Sequence, residues 1–269
     1  MKGILKEELD RAFHTPRFII VIVLALAIFI VGVYRSPFAF FSQEMHPVNC
    51  LLLNLEYGDF GFLATLMATL PFADSFLDDL NQGFLRQIVQ RVPYKRYQWA
   101  KILAVALSGG FCLALAVLLI FLVSLMGAAD WKSVAYFSGY AHSPTEPAGP
   151  FGSIYTLNPV YYLFYILFST FGFGAVYAVL GLAISSLIHN RYVVLAGPLV
   201  LVQILDFLED RSLHVTDAFN LLNGLLPFES SVFPSADFTV GVQLVQFVVV
   251  LAISVSAFLM LTRKQRLTF

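Results

Sequence analysis

Apolar and polar positions follow two different rhythms along this chain. Six long apolar runs stand at about residues 18–34, 60–77, 102–126, 160–188, 192–208 and 238–262. A helix needs roughly 17–25 such residues to cross a hydrocarbon core, so these runs predict six transmembrane helices, the first and fifth being short. The second rhythm is amphipathic. Within residues 1–16, Ile4, Leu5, Leu9, Ala12 and Phe13 share one helical face with charges opposite, and Pro16 closes the segment. That pattern predicts a helix lying in the membrane interface ahead of a single six-helix domain over residues 18–269.

A second amphipathic stretch separates the second and third runs. Leu80, Phe84, Leu85, Ile88, Val89 and Val92 fall on one stripe at helical spacing, which predicts a helix over residues 78–92. Asp78 and Asp79 stand at its start, where carboxylates suit the positive end of a helix. Pro93 stops it, because proline cannot continue the hydrogen-bond ladder. Arg86, Gln87, Gln90 and Arg91 are left for water or a partner, and Tyr94, Lys95, Arg96, Tyr97, Trp99 and Lys101 read as an interfacial belt.

The remaining connections are uneven. Residues 35–59 and 127–159 are long, and 209–237 contain a short apolar stretch broken by Gly224 and Pro227. That stretch is too short to span and predicts a re-entrant or interfacial helix pair between spans five and six. Only "HNR", residues 189–191, joins spans four and five.

Composition fixes the class. At 59% hydrophobic and 12% charged residues, the chain departs from soluble domains in the direction of membrane proteins. Positive charge fixes the expected orientation. With both termini in the cytoplasm, thirteen of the sixteen Lys and Arg residues fall inside, and only Arg35, Lys132 and Arg211 fall outside. The first span is followed by bulky "VGVYRSPFAFF" rather than a small-residue cleavage site, so it reads as an uncleaved anchor. Two cysteines make no disulfide framework, and Cys112 reads as packing.

Several chemistries are excluded by their missing motifs. There is no GxxxxGK[ST] phosphate loop and no HExxH zinc helix. "EELDR" at residues 7–11 and "YGDFG" at 57–61 lie outside membrane depth, and five scattered histidines lack ligand spacing, so neither an enzyme nor a metal site is expected. "LSGG" at residues 107–110 lies within a span, where its glycines suit close helix approach. Gly174, Ala178 and Gly181 form a small-residue stripe that serves either internal packing or dimerisation. Asp59, Asp74, Asp206 and Glu209 sit near span ends rather than at a midplane, and Asp74 reads as snorkelling to the inner interface. That placement counts against an ion-coupled transporter or channel acting alone, which stands as the alternative reading.

The ordered residues from Asp78 or Asp79 through "GFLRQIVQRVPYKRYQWAKIL" resemble the cytoplasmic loop of type-2 ABC transporter permeases, with Gly83, Arg86, Arg91, Pro93, Arg96, Tyr97 and Lys101 at the matching positions. "LGLAISSLIHNRYVVLAGPLVL" is similar to that family's hairpin between spans four and five, and "MKGILKEELDRAFHTPRF" to its N-terminal helix. The chain departs in carrying "GFLR" where many relatives have "G-T-x-R", and in its long 127–159 connection. The resemblance implies the membrane half of an ATP-driven exporter in a bacterial plasma membrane, with both termini inside. It implies two separate ATPase subunits that carry ATP and Mg, and a second permease, identical or related. No cofactor bound by this chain and no nucleic acid partner is expected; lipid surrounds it. The resemblance makes Asp78, Asp79, Gly83, Phe84, Arg86, Gln87, Gln90, Arg91 and Pro93 the coupling helix that lodges in the ATPase, with His189, Asn190 and Arg191 as a second contact. Substrate is not legible, since abundant phenylalanine suits apolar cargo and lipid-facing packing alike.

Overall fold

In a computed structural model, residues 2–35, 47–127, 159–211 and 236–266 are described. The expected re-entrant pair, most of the two long connections, and Lys132, Gly224 and Pro227 lie outside them. The described residues form ten helices and no strand. In chain order these are α1 (Lys2–Phe13), α2 (Arg17–Arg35), α3 (Pro47–Tyr57), α4 (Phe60–Thr69), α5 (Ser75–Asn81), α6 (Phe84–Arg91), α7 (Tyr94–Gly127), α8 (Pro159–Ser185), α9 (Arg191–Arg211) and α10 (Ala236–Arg266).

Four helices are long and apolar enough to cross a membrane: α2, α7, α8 and the Leu244–Arg263 part of α10. The second run comes out shorter, as the apolar helix Phe60–Thr69, whereas the fifth lies wholly within α9. The expected span at 60–77 is not one helix, and Pro71 is the physical reason. Proline has no N–H to offer the Met67 carbonyl and its ring crowds that turn. The backbone tightens through residues 70–74 before α5 begins. At the other end of α4, Asp59 adopts a left-handed conformation (φ 55°), which separates α4 from α3. Part of the connection expected over 35–59 is thus the helix α3, whose Cys50, Leu51, Asn54 and Leu55 are buried.

The six apolar helices alternate in direction. One end gathers α1, α5, α6, the start of α7, the turn between α8 and α9, and the end of α10, as the Arg17–Asp74, Arg191–Asp74, Lys101–Glu8 and Tyr94–Thr262 contacts require. The opposite end carries the Arg35–Asp59 pair at 2.5 Å.

Small residues set the core packing. A Cβ at Gly109 would fall 2.8 Å from the Ala68 carbonyl oxygen and 2.9 Å from that of Gly174, and would also strike Ala178. At Gly174 a Cβ would reach the Gly109 oxygen at 2.6 Å, and at Gly181 it would meet Ala73 and Thr69. The Gly174–Ala178–Gly181 stripe therefore faces α4 and α7 within the chain, where backbones approach closely without side chains between them. The tight approach expected of "LSGG" is present at the same crossing.

Candidate functional site

The expected helix over residues 78–92 is two helices. Gly83 has φ 73°, a left-handed conformation that glycine adopts at little cost, and it turns the chain between α5 and α6. Asp78 and Asp79 consequently lie within α5 and do not cap α6, which begins with no side-chain cap hydrogen bond. At the far end, Val92 is extended (φ −137°, ψ 140°), as the residue before proline tends to be, and α7 starts directly after Pro93.

Asp79 is fully buried in a closed ring of four charges. Its Oδ2 lies 2.6 Å from Lys101 Nζ, whose second carboxylate contact is Glu8 Oε2 at 2.7 Å. Arg11 completes the ring, with Nη2 at 2.8 Å from Asp79 Oδ1 and Nη1 at 3.3 Å from Glu8 Oε1. Tyr97 donates its hydroxyl to Asp79 Oδ2 at 2.6 Å. Lys101 also stands over the Phe72 ring at 5.0 Å and the Tyr97 ring at 5.5 Å, so its charge is enclosed by carboxylates and π faces. Burial alone would raise the Asp79 carboxyl, but Lys101, Tyr97 and Arg11 outweigh it and hold the group below its ordinary value. For Arg11, partial burial opposes charge, while the hydrogen bond to Asp79 and the two carboxylates raise it further.

The ring and the neighbouring Asp74 cluster correct three sequence expectations. Glu8 is on the packed face of α1, not on its solvent face, because it answers Lys101. Tyr97 and Lys101 point into the protein and do not belong to an interfacial belt, whereas Lys95, Arg96 and Trp99 are exposed. Asp74 does not snorkel. It is buried at the end of the Pro71 break, where Arg17 Nη1 donates to its Oδ1 at 2.5 Å and Arg191 Nε lies 2.6 Å from Oδ2, an ion pair without hydrogen-bond alignment. Arg17 Nη2 is 3.7 Å from Asp78. The segment from Asp74 to Asp79 thus inserts three acids among cations from α1, α2, α7 and α9.

The side chains proposed for contact divide accordingly. On α6, Leu85 is buried and Ile88 half-buried against the bundle, while Phe84 is 44% exposed and Gln87, Gln90 and Arg91 face outward. Arg86 lies on the same short helix. His189 and Asn190 are exposed, but Asn190 Oδ1 accepts a hydrogen bond from the Tyr192 N–H at 3.0 Å and so caps α9. Arg191 is engaged by Asp74. Sequence reasoning missed Glu8, although a polar residue within the Leu5–Leu9–Ala12 stripe was a usable signal. Among the described residues no group of three His, Cys, Asp or Glu side chains is placed to hold a metal ion.

Chemically, the acids here are neutralised by neighbouring cations, which tie the segment from Asp74 to Asp79 to α1, α2, α7 and α9. Comparison with family models, curated proteins and solved structures gave no match.

Proposed function

We propose that this chain is the permease subunit of an ABC-type exporter, driven through α6 by a separate ATPase. The observation that carries the reading is the character of α6. It is a short helix with one apolar side held on the bundle and Phe84, Gln87, Gln90 and Arg91 turned outward, and the neighbouring segment from Asp74 through α5 is fixed by ion pairs to four other elements. A helix that only marked topology would need no such rigid seat. A docked partner that moves α6 would displace α5, and the ion pairs of Asp74 and Asp79 would pass that displacement to α1, α2, α7 and α9. Such a rigid-body shift would switch the bundle between two arrangements.

In this reading two ATPase subunits supply ATP and Mg, and a second permease, identical or related, completes the path in the plasma membrane. The direct contacts are Phe84, Gln87, Gln90 and Arg91, with Arg86 on the same helix. Asp79 acts from inside as the residue that seats α5. Co-purification from the native membrane in mild detergent tests the proposal. An ATP-hydrolysing subunit is expected with the parent chain and lost with Arg91→Glu, while the variant still inserts. Equal ATPase recovery with both chains removes α6 from the contact.

A further inference from the structure

We propose that α3 and α4 are the two halves of one membrane crossing, and that α3 is a hinged plug which the Arg35–Asp59 pair latches into the end of the bundle opposite the Asp79 ring. The inference concerns that end and does not depend on an ATPase. Continuity of the two halves follows from their register on α2. A Cβ at Gly32 would fall 2.8 Å from Asn54 Oδ1, and a Cβ at Gly58 would fall 2.6 Å from the Ile28 carbonyl oxygen. Farther along, Arg17 Nη1 donates to the Leu70 carbonyl at 3.4 Å. Residue numbers fall along α2 as they rise through α3 and then α4, so both halves run antiparallel to it in one line. The 11 residues of α3 and the 10 of α4 together rise roughly 32 Å, enough for a hydrocarbon core of ~30 Å. Neither half is long enough alone.

The seat of α3 carries two costs that movement relieves. Gly58 and Asp59 alone connect the halves, and Asp59 holds its φ of 55°, an unfavourable conformation for a residue with a Cβ. Asn54 is fully buried, where its Nδ2 donates to the Cys50 carbonyl at 2.8 Å and to Ser124 Oγ on α7 at 3.4 Å. Its Oδ1 has no hydrogen-bond partner, and a buried acceptor kept from water favours any motion that wets it. Arg35 opposes these costs. It stands seven residues beyond Ile28, roughly 10 Å along α2, and reaches back to the break between the halves. There Nη1 donates to the Tyr57 carbonyl at 3.3 Å and to Asp59 Oδ2 at 2.5 Å, which ties the last residue of α3 and the hinge residue itself to α2. Both side chains are half-exposed, so salt weakens the latch. Once released, α3 swings about Gly58 and Asp59, and the space it fills between α2 and α7 opens at that end.

The chain's two cysteines supply a reporter and its control. Cys50 lies on α3 and Cys112 on α7, and both are buried. The full-length chain in lipid nanodiscs is treated with N-ethylmaleimide, and modification of each cysteine is followed by peptide mass spectrometry. Where closing outpaces modification, the rate at a buried thiol tracks the open population. R35Q and D59N are each expected to speed Cys50 about fivefold, the upper worth of a partly exposed ion pair, and to leave Cys112 unchanged. The double variant R35Q/D59N should be no faster than either single one, because the pair acts as a unit. In the parent, ~1 M salt should likewise speed Cys50 alone. An unchanged Cys50 rate in both single variants overturns the latch, and equal acceleration at Cys50 and Cys112 overturns the hinge. If the variants do not fold, the salt comparison on the parent decides by the same two criteria.

Discussion

Lys101 is the side chain on which the charged joint depends most heavily. It is fully buried, with one carboxylate at 2.7 Å and another at 2.6 Å. Replacing it by methionine keeps its length and apolar stem but leaves Glu8 and Asp79 facing each other in the interior. Removing one partner of a buried ion pair typically costs about 3–5 kcal/mol, because the remaining charge is desolvated without compensation. Arg11 stays within 2.8 Å of Asp79 and partly offsets the loss, so Lys101→Met is expected near the lower end, about 3 kcal/mol. Neutralising the opposing acids as well, in E8Q/K101M and D79N/K101M, should recover much of that loss, since whole buried pairs are often replaceable at little cost. The assay is unfolding of purified full-length protein in detergent, read as a double-mutant cycle. If Lys101→Met unfolds like the parent, or if the double variants are less stable than K101M alone, the ring does not seat α5.

Three further outcomes follow from local geometry. Gly83→Ala meets no atom within 4 Å but must hold a φ of 73°, so a loss of about 1 kcal/mol is expected in the same assay, and a smaller loss for Gly83→Asn. Gly109→Val should be far more harmful than the exposed Gly3→Ala, because its side chain would strike Ala178, Ala68 and Gly174; overpacking of ~1–3 kcal/mol or failure to accumulate in the membrane would register it. The Asp79 carboxyl sits below its ordinary value, so its stabilisation is complete above an unfolded value of about 3.9 and is lost only as pH falls through the lower folded one. Unfolding midpoints of the parent and Asp79→Asn should thus differ at pH 7 and converge in strong acid, and a constant gap across that range would contradict the assignment.

Much of the helical architecture could be read from the chain, because long apolar runs allow little else in a bilayer. The start of α6 and the split of the second run were harder. Pro71 was visible, but 60–77 is apolar throughout, and hydropathy alone joins what proline divides. Gly83 was also visible, yet the stripe from Leu80 to Val92 continues across it at helical spacing. The charged joint was illegible for a different reason. Counting positive charge treats Lys101 and Arg11 as solvent-facing, whereas Asp79 meets both, and Glu8 meets Lys101, only after α1, α5 and α7 pack. Charge pairing between distant segments leaves no periodic trace.

The most direct test of α6 as the coupling element is photo-crosslinking in native membranes. A photoreactive residue is placed at Gln87, with the same residue at Trp99 as the bilayer-facing reference. From position 87 the expected product is an adduct with a protein that carries a phosphate-binding loop, its yield changing when ATP is trapped in that protein; position 99 should give none. Protein adducts equal from both positions, or an adduct at 87 whose partner binds no nucleotide, would contradict the account.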